Sequence, residues 1–128
     1  MVERTHERSY GVEEMERTII ENVDCVEMMK RIDSDTAGVL EKTLNDLVAT
    51  GSKLILCDFS ATTYISSAGL RVLLSVTKTL LRSKGRVALC SLRPNVAEVF
   101  TIAGMNQIIP IYPTREAAIN MLSGISVP

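Results

Sequence analysis

Two adjacent hydroxyl side chains, Ser66 and Ser67, lie where a strand-like run gives way to a helical pattern. The run Leu54–Asp58 is apolar and rich in β-formers, and from Gly69 onward apolar residues recur at helical spacing. A helix start has unpaired backbone N–H groups and the positive end of the peptide dipoles, so a serine can cap it and an anion can bind there. Phosphorylation of either hydroxyl would add about −1.5 to −2 charges at that point. The residues alone leave both an ordinary N-cap and a modification site open.

Other reactive side chains do not form the arrangement of an enzyme. The sequence around Ser67 is not a Gly-x-Ser-x-Gly elbow, and the single histidine, His6, lies in the polar N-terminal stretch, so a serine triad has no base. A glycine-rich phosphate loop with lysine, an HExxH pair and a metal-ligand cluster are also missing from the sequence. Asp33 lies between a predicted strand and a predicted helix, and Asp58 lies near the end of another predicted strand; at such positions capping explains a carboxylate better than acid–base chemistry. We therefore expect no catalytic residue, no metal and no cofactor.

The composition indicates one globular domain. The chain has 128 residues, 46% of them hydrophobic, and a formal net charge of −1, which suits one core and is too small for two ordinary domains. No apolar run approaches the roughly 20 residues that span a bilayer, and the charged N-terminus lacks a signal-peptide pattern. We expect a cytoplasmic protein without membrane insertion, with a loose polar leader over residues 1–12 and a domain over residues 13–128.

Two of the three cysteines are predicted to be buried. Cys25, Cys57 and Cys90 are three widely spaced residues without a CxxC pair, which argues against a disulfide framework or a zinc site. Cys57 and Cys90 fall inside strand-like runs, where a cysteine behaves as a small hydrophobic residue.

The charge is distributed unevenly. Residues 1–33 hold nine acidic and five basic side chains, whereas residues 59–97 hold six basic side chains and no acidic one. This basic tract is too sparse, and too poor in aromatic residues, to favour nucleic-acid binding. Part of it forms a polar stripe on the predicted helix after the serine pair: Arg71, Ser75, Lys78 and Arg82. The stripe is either a solvated face or a docking surface for an acidic partner.

The hydrophobic pattern predicts a small α/β domain. The predicted strands cover residues 13–21, 25–32, 53–59, 87–92 and 108–112, with a hairpin turn at 22–24. The predicted helices cover residues 37–51, 67–83, 94–104 and 114–122. The first follows N-cap candidates at Asp33, Ser34 and Asp35, contains Gly38, which would allow close packing on the sheet, and ends at a C-cap glycine, Gly51. The last follows an N-cap at Thr114. The apolar residues predicted to face the sheet include Leu81 in the second helix and Ala103 in the third. Alternating strands and helices with short links imply right-handed crossovers and parallel strands. We expect a mixed, mostly parallel sheet of about four to five strands with about four helices.

Several segments, in order, resemble the sequence pattern of STAS domains, the fold of bacterial anti-sigma factor antagonists. The run Ile65–Leu70 (Ile-Ser-Ser-Ala-Gly-Leu) is similar to the family's Asp-Ser-Ser-Gly-Leu motif, which also lies between a strand and a helix. The family's other elements are matched by residues 32–37, 54–58, 85–90 and 96–105. The order and spacing of these pieces, over roughly residues 13–122, make the resemblance specific.

The resemblance implies a regulatory binding protein rather than an enzyme. Ser67 takes the position of the family's phosphoacceptor; Ser66 stands where many members carry Asp, and Ala68 where they carry a second Ser. The unphosphorylated form would bind an anti-sigma factor with serine-kinase activity, phosphorylation would end the complex, and a phosphatase would reset it. Ser66 is an alternative acceptor. The partner-binding residues implied are Asp33, Ser66, Ser67, Gly69 and Arg71.

Two other interpretations remain open at this point. STAS domains also occur in transporters and in stress-signalling or lipid-trafficking assemblies, where the serine site is silent. A nucleotide-binding module is the other alternative, although no phosphate-cradling motif supports it.

Overall fold

The structure, a computed structural model, describes residues 15–124. Its strands are β1 (Arg17–Ile20), β2 (Val23–Glu27), β3 (Arg31–Ile32), β4 (Leu54–Asp58), β5 (Tyr64–Ile65), β6 (Arg86–Cys90) and β7 (Ile111–Tyr112). Its helices are α1 (Ala37–Ala49), α2 (Ser67–Arg82), α3 (Pro94–Ile102) and α4 (Arg115–Ser123), with a short 3-10 helix at Met105–Gln107. The predicted leader, residues 1–12, and His6 lie outside the described residues.

Five strands form the main sheet, in the order β1-β2-β4-β6-β7. β1 is antiparallel to β2, and the other neighbours are parallel. β4 lies at the centre with every residue buried, as its unbroken apolar sequence predicts. β7 lies at an edge, next to Pro110, which has no N–H to donate to a further strand. The predicted fold class, a mixed and mostly parallel sheet with helices, is confirmed.

Helices cover both faces of this sheet. Along β4, Ile55 and Cys57 point into a core formed with α1, α2 and α3, whereas Leu54 and Leu56 point into a second core formed with α4. Successive side chains of a strand project to opposite faces, so a strand that is covered on both faces needs apolar residues at every position. This explains why β4 is continuously hydrophobic.

The ends of the helices follow local signals. Gly51 has a φ of 100° after α1; its N–H donates to Val48 O, and that of Ser52 donates to Leu47 O, each at 3.0 Å. These bonds form a Schellman motif, which confirms the predicted glycine C-cap. The N-cap of α1 is Thr36 rather than one of residues 33–35, because those residues form the preceding turn.

The N-terminal hairpin differs from its prediction. The turn consists of Glu21 and Asn22, whose φ angles are 51° and 69°, as in the two-residue turns that match strand twist. Val23 and Asp24 therefore belong to β2, and the predicted strand 25–32 is divided between β2 and β3. Asp24 is tolerated in a buried strand position because Arg17 Nε donates to its carboxylate at 2.7 Å and Ser52 Oγ also donates to it.

The inner faces of two helices are shifted from their predicted positions. In α2, Val72 and Val76 are buried, whereas Leu81, predicted to be inside, is 44% exposed. Ala103, predicted on the inner face of α3, is exposed at the end of that helix. Apolar residues occupy more than one side of α2, so periodicity alone does not decide which side contacts the sheet.

Candidate functional site

Ser67 is the first residue of α2, and its side chain is exposed. At this position the residue lies beside the unpaired N–H groups of the helix start, where the peptide dipoles favour negative charge. No acidic side chain is present in the first turn of α2. The Ser67 hydroxyl is therefore accessible from solvent and lies at a point where a phosphate is electrostatically favourable.

Ser66 has a different role, since it is the N-cap of α2. Its backbone is extended, with φ −96° and ψ 171°, and its hydroxyl oxygen accepts the N–H of Gly69 at 3.4 Å. The residue is half-buried. The two serines are thus distinguished by geometry: Ser66 caps the helix, and Ser67 presents its hydroxyl to solvent.

A small second sheet fixes where α2 begins. β3 and β5 pair in parallel, with Ile32 opposite Ile65, and the Ser66 N–H donates to Ile32 O at 2.8 Å. A Cβ on Gly69 would lie 2.5 Å from Ile32 Cγ2 and 3.0 Å from Ile65 Cγ1. The first distance is shorter than real Cβ contacts and the second is tighter than most of them, so glycine is what allows the first turn of α2 to pack directly on this sheet.

Asp33 lies next to the serine pair and stabilises the turn before α1. It follows Ile32, whose carbonyl accepts the N–H of Ser66, so the strand ends place Asp33 beside Ser66. Its carboxylate accepts the N–H of Thr36 at 3.1 Å and that of Asp35 at 3.0 Å. The hydrogen bond from Thr36, followed by that from Asp35, keeps the pKa of the Asp33 carboxyl below its usual value. This supports a structural role in the turn rather than acid–base chemistry.

The loop between β4 and β5 is held in place by side chains from distant parts of the chain. Thr62 is fully buried, and its hydroxyl donates to Met29 O at 2.7 Å. The Asn95 side chain, from the first turn of α3, donates to Thr63 O at 2.9 Å. These bonds fix the approach of the chain to Ser66, so the serine pair lies on a rigid support.

The predicted cationic stripe is exposed. Arg71 lies one turn after Ser67, at the spacing that places two residues on the same face of a helix, and it is exposed, as are Lys78 and Arg82. Among the described residues, no carboxylate lies within ion-pair distance of these three side chains. The structure therefore brings Asp33, Ser66, Ser67, Gly69 and Arg71 together around the start of α2.

Sequence reasoning missed Arg115, which is the partner of Asp58. Asp58 is 7% exposed at the end of β4; its Oδ2 accepts Nη2 and Nε of Arg115 at 2.8 and 3.1 Å, and its Oδ1 accepts the Ser60 N–H at 2.9 Å. Burial acts to lower the pKa of Arg115, but the hydrogen bond and charge of Asp58 outweigh it, and the pKa is raised. No local pattern near residue 115 indicates this pair, because its members are 57 positions apart.

All three cysteines are buried, as predicted for Cys57 and Cys90. Burial raises the pKa of the Cys25 and Cys90 thiols to about 11 and raises that of Cys57 further. All three are free thiols with little thiolate at neutral pH, so they act as packing groups.

Residues 15–124 contain neither a metal-binding cluster nor a membrane-spanning helix. No group of three or more His, Cys, Asp and Glu side chains in this range is arranged to hold a metal ion. No helix in the same range has the length and apolar character needed to cross a bilayer.

A serine pair at the strand-to-helix junction of such a mixed sheet is the arrangement of a STAS domain, and residues 14–118 match the model of that family. The chain belongs to the STAS domain family. Over 87 residues it is 44% identical to BtrV of Bordetella bronchiseptica, which is named as an anti-sigma factor antagonist; the match covers 68% of this chain and 75% of BtrV.

Solved structures share the fold. A crystal structure of a protein from Thermotoga maritima, titled as an anti-sigma factor antagonist, has a TM-score of 0.79 at 23% identity, covering 84% of this chain and 93% of that chain. The anti-sigma factor antagonist SpoIIAA in its unphosphorylated form has a TM-score of 0.67 at 19% identity, and the match covers 87% of this chain and 99% of SpoIIAA. Its phosphorylated form, titled as a Bacillus cell fate determinant, has a TM-score of 0.66 at 17% identity, covering 84% and 97%. At these identities the structures establish the common fold.

Proposed function

We propose that this chain is an anti-sigma factor antagonist whose partner binding is controlled by phosphorylation of Ser67. The unphosphorylated form binds an anti-sigma factor with serine-kinase activity. That kinase phosphorylates Ser67, and the complex dissociates. A phosphatase then removes the phosphate and restores the form that binds. The observation that carries the proposal is the exposed position of Ser67 at the first residue of α2. The relationship to BtrV supports the same class of function.

The free protein can accept a phosphate at Ser67 without rearrangement. The helix start supplies N–H groups and a positive dipole end, and Arg71 lies one turn further along the same face. Arginine binds phosphate through two parallel hydrogen bonds, which makes it the better cation for this purpose. The folded state therefore tolerates both forms of Ser67, as a reversible switch requires.

The partner-bound form should not accept the phosphate. A partner that covers Ser67 would remove a dianion from water, and an uncompensated buried charge is strongly unfavourable. The same modification is thus nearly neutral for folding and unfavourable for the complex. This difference converts a covalent change on one side chain into release of the partner.

The proposal is tested by incubating the chain with a candidate anti-sigma factor serine kinase and ATP, followed by intact-mass measurement. The wild-type protein should gain one phosphate, and Ser67→Ala should gain none. Ser60→Ala, which removes another exposed hydroxyl from the preceding loop, is the matched control and should gain one phosphate. Phosphate retained in Ser67→Ala and lost in Ser66→Ala would instead make Ser66 the acceptor.

A binding measurement completes the test. Ser67→Asp introduces negative charge at the same position, so it should fold normally and bind the kinase more weakly than the wild type. If the wild-type chain bound the kinase normally but gained no phosphate, it would be an antagonist whose serine site is silent. Absence of both binding and phosphorylation across candidate kinases would contradict the proposed function.

A further inference from the structure

A groove between α1 and α2 opens beside the proposed phosphorylation site. Its volume is about 580 Å³. The residues that define it, here called the α1–α2 groove, include small residues from both helices and charged residues along its sides: Ala37, Gly38, Glu41, Ala68, Arg71 and Lys78. Ala68 directly follows Ser67, so the groove begins where the phosphate would be placed.

Gly38 indicates that the groove is open to an incoming chain. A Cβ added at Gly38 would meet no atom within 4 Å, so the glycine is not required by packing within this protein, contrary to the expectation that it permits close packing on the sheet. Glycine also has a lower helix propensity than alanine, so Gly38 does not serve the stability of α1. Together with Ala37 and Ala68, it leaves a shallow floor on which another helix backbone can approach closely.

The α2 side of the groove is positively charged. Ser67, Arg71 and Lys78 are related by four and seven positions, so they lie on one face of the helix. Lys78 is about 10 Å further along the axis than Arg71, since seven residues rise 1.5 Å each. The carboxylate of Glu41 stands on the α1 side, which leaves a net excess of one positive charge in the groove.

We propose, on the basis of the proposed function, that the α1–α2 groove receives an acidic amphipathic helix of the anti-sigma factor. The apolar face of that helix lies on the small residues of the floor, and two of its carboxylates, about two turns apart, pair with Arg71 and Lys78. This is the helix-in-groove mode of recognition, with charge complementarity supplying register and specificity.

The groove also explains how Ser67 phosphorylation releases the partner. A phosphate on Ser67 engages Arg71 from the same helix and places two negative charges at the entrance of the groove. The acidic helix then loses one cationic contact and meets a like charge, which is unfavourable at an interface. Release follows from competition for Arg71, without a change of fold.

The experiment measures binding of the full chain to the kinase that phosphorylates Ser67, by calorimetry at low and moderate salt. Gly38→Leu fills the floor, and Lys78→Glu reverses a charge remote from Ser67; each should weaken binding by about tenfold or more. Lys84→Glu is the matched control, because it reverses an exposed charge after the end of α2 that does not line the groove, and it should change affinity less than about twofold. Binding by the wild type should weaken as salt rises.

The outcomes separate this proposal from the proposed function. If Gly38→Leu and Lys78→Glu both bound the kinase with wild-type affinity and were still phosphorylated on Ser67, partner binding in the α1–α2 groove would be ruled out. The proposed control by Ser67 phosphorylation would be unaffected. Concentration-dependent dimerisation of the chain alone, abolished by Gly38→Leu, would assign the groove to a second copy and also overturn it. Leucine has a higher helix propensity than glycine, so the Gly38→Leu protein should fold, and its urea midpoint verifies this.

Discussion

The end of β4 and the start of α2 lie at the same end of the sheet, but the charged side chain at the first is buried and paired, whereas the one at the second is exposed to solvent. At the end of β4, the Asp58 carboxylate is 7% exposed, and it accepts hydrogen bonds from the guanidinium of Arg115 and the backbone of Ser60. At the start of α2, Ser67 and Arg71 are exposed. The charge of Asp58 is therefore neutralised inside the protein, whereas Ser67 and Arg71 remain open to solvent.

The difference follows from the cost of removing charge from water. A buried carboxylate must be paired and hydrogen-bonded, and it therefore becomes part of the folded structure. An exposed helix start is compatible with a neutral hydroxyl or a phosphate, because solvent and backbone N–H groups stabilise both. The comparison predicts which charged residues can be substituted without unfolding the protein. It can be tested at Asp58 and at the start of α2.

The largest expected effect is at the buried pair. Arg115→Ala would leave Asp58 without its counter-charge, and it should lower the free energy of unfolding by about 3 kcal/mol, the lower end for breaking a buried pair. The lower end applies because the Arg115 side chain is 29% exposed. Urea unfolding followed by circular dichroism measures the change.

The control is an ion pair on the surface. Lys42 and Asp46 form an exposed pair on α1 at 2.9 Å, and Lys42→Ala should cost only about 0.3–0.5 kcal/mol. If Arg115→Ala and Lys42→Ala lowered the free energy of unfolding equally, Asp58 would not be as isolated from solvent as its burial indicates. The contrast between the end of β4 and the start of α2 would then be wrong.

The second prediction concerns the support of the serine pair. Gly69→Ala places a Cβ 2.5 Å from Ile32 Cγ2, so the start of α2 and the Ile32 side chain must move apart. Overpacking of this kind costs about 2 kcal/mol, which thermal or urea unfolding would detect. The displaced helix start should also slow phosphorylation of Ser67 by the kinase.

Gly38→Ala is the matched substitution in the other helix. The added methyl meets no atom within 4 Å, so the variant should be more stable than the wild type by up to about 1 kcal/mol, through helix propensity alone. If both alanine variants were destabilised to the same extent, close packing at Gly69 would not be the reason for its glycine.

Local signals made much of the fold predictable. The unbroken apolar run of β4 gave a central strand, Gly51 gave the C-cap of α1, and Thr114 caps α4 as expected by accepting the Ala117 N–H at 3.1 Å. The serine pair was placed correctly at a helix start, because a change of hydrophobic period marks it. In each case the information lies within a few residues of the feature.

The parts that were missed depend on distant residues. β3 and β5 have two residues each, too few to show a periodic pattern, and they are strands only because they pair with each other. Arg115 shows no sign of its role until α4 brings it to Asp58. Asp24 looks like a turn residue until Arg17 and Ser52 are seen to satisfy its carboxylate within β2.

The smallest expected effect is at Asp33, where the open site meets the folded structure. The N–H groups of Thr36 and Asp35 stabilise the ionised carboxylate, and the pKa is lower in the folded state than in the unfolded chain. Its stabilisation is therefore fully present above the unfolded pKa of about 3.9 and is lost as the pH falls through the lower folded value. Asp33→Asn keeps an acceptor but removes the charge, so the difference in urea midpoint from the wild type should be largest near neutral pH and shrink below about pH 4. Glu98→Gln, which removes an exposed carboxylate of α3 that has no ion pair among the described residues, is the control for the loss of net charge. A difference for Asp33→Asn that stays constant down to about pH 2 would show that the amide–carboxylate bonds of this turn do not depend on ionisation.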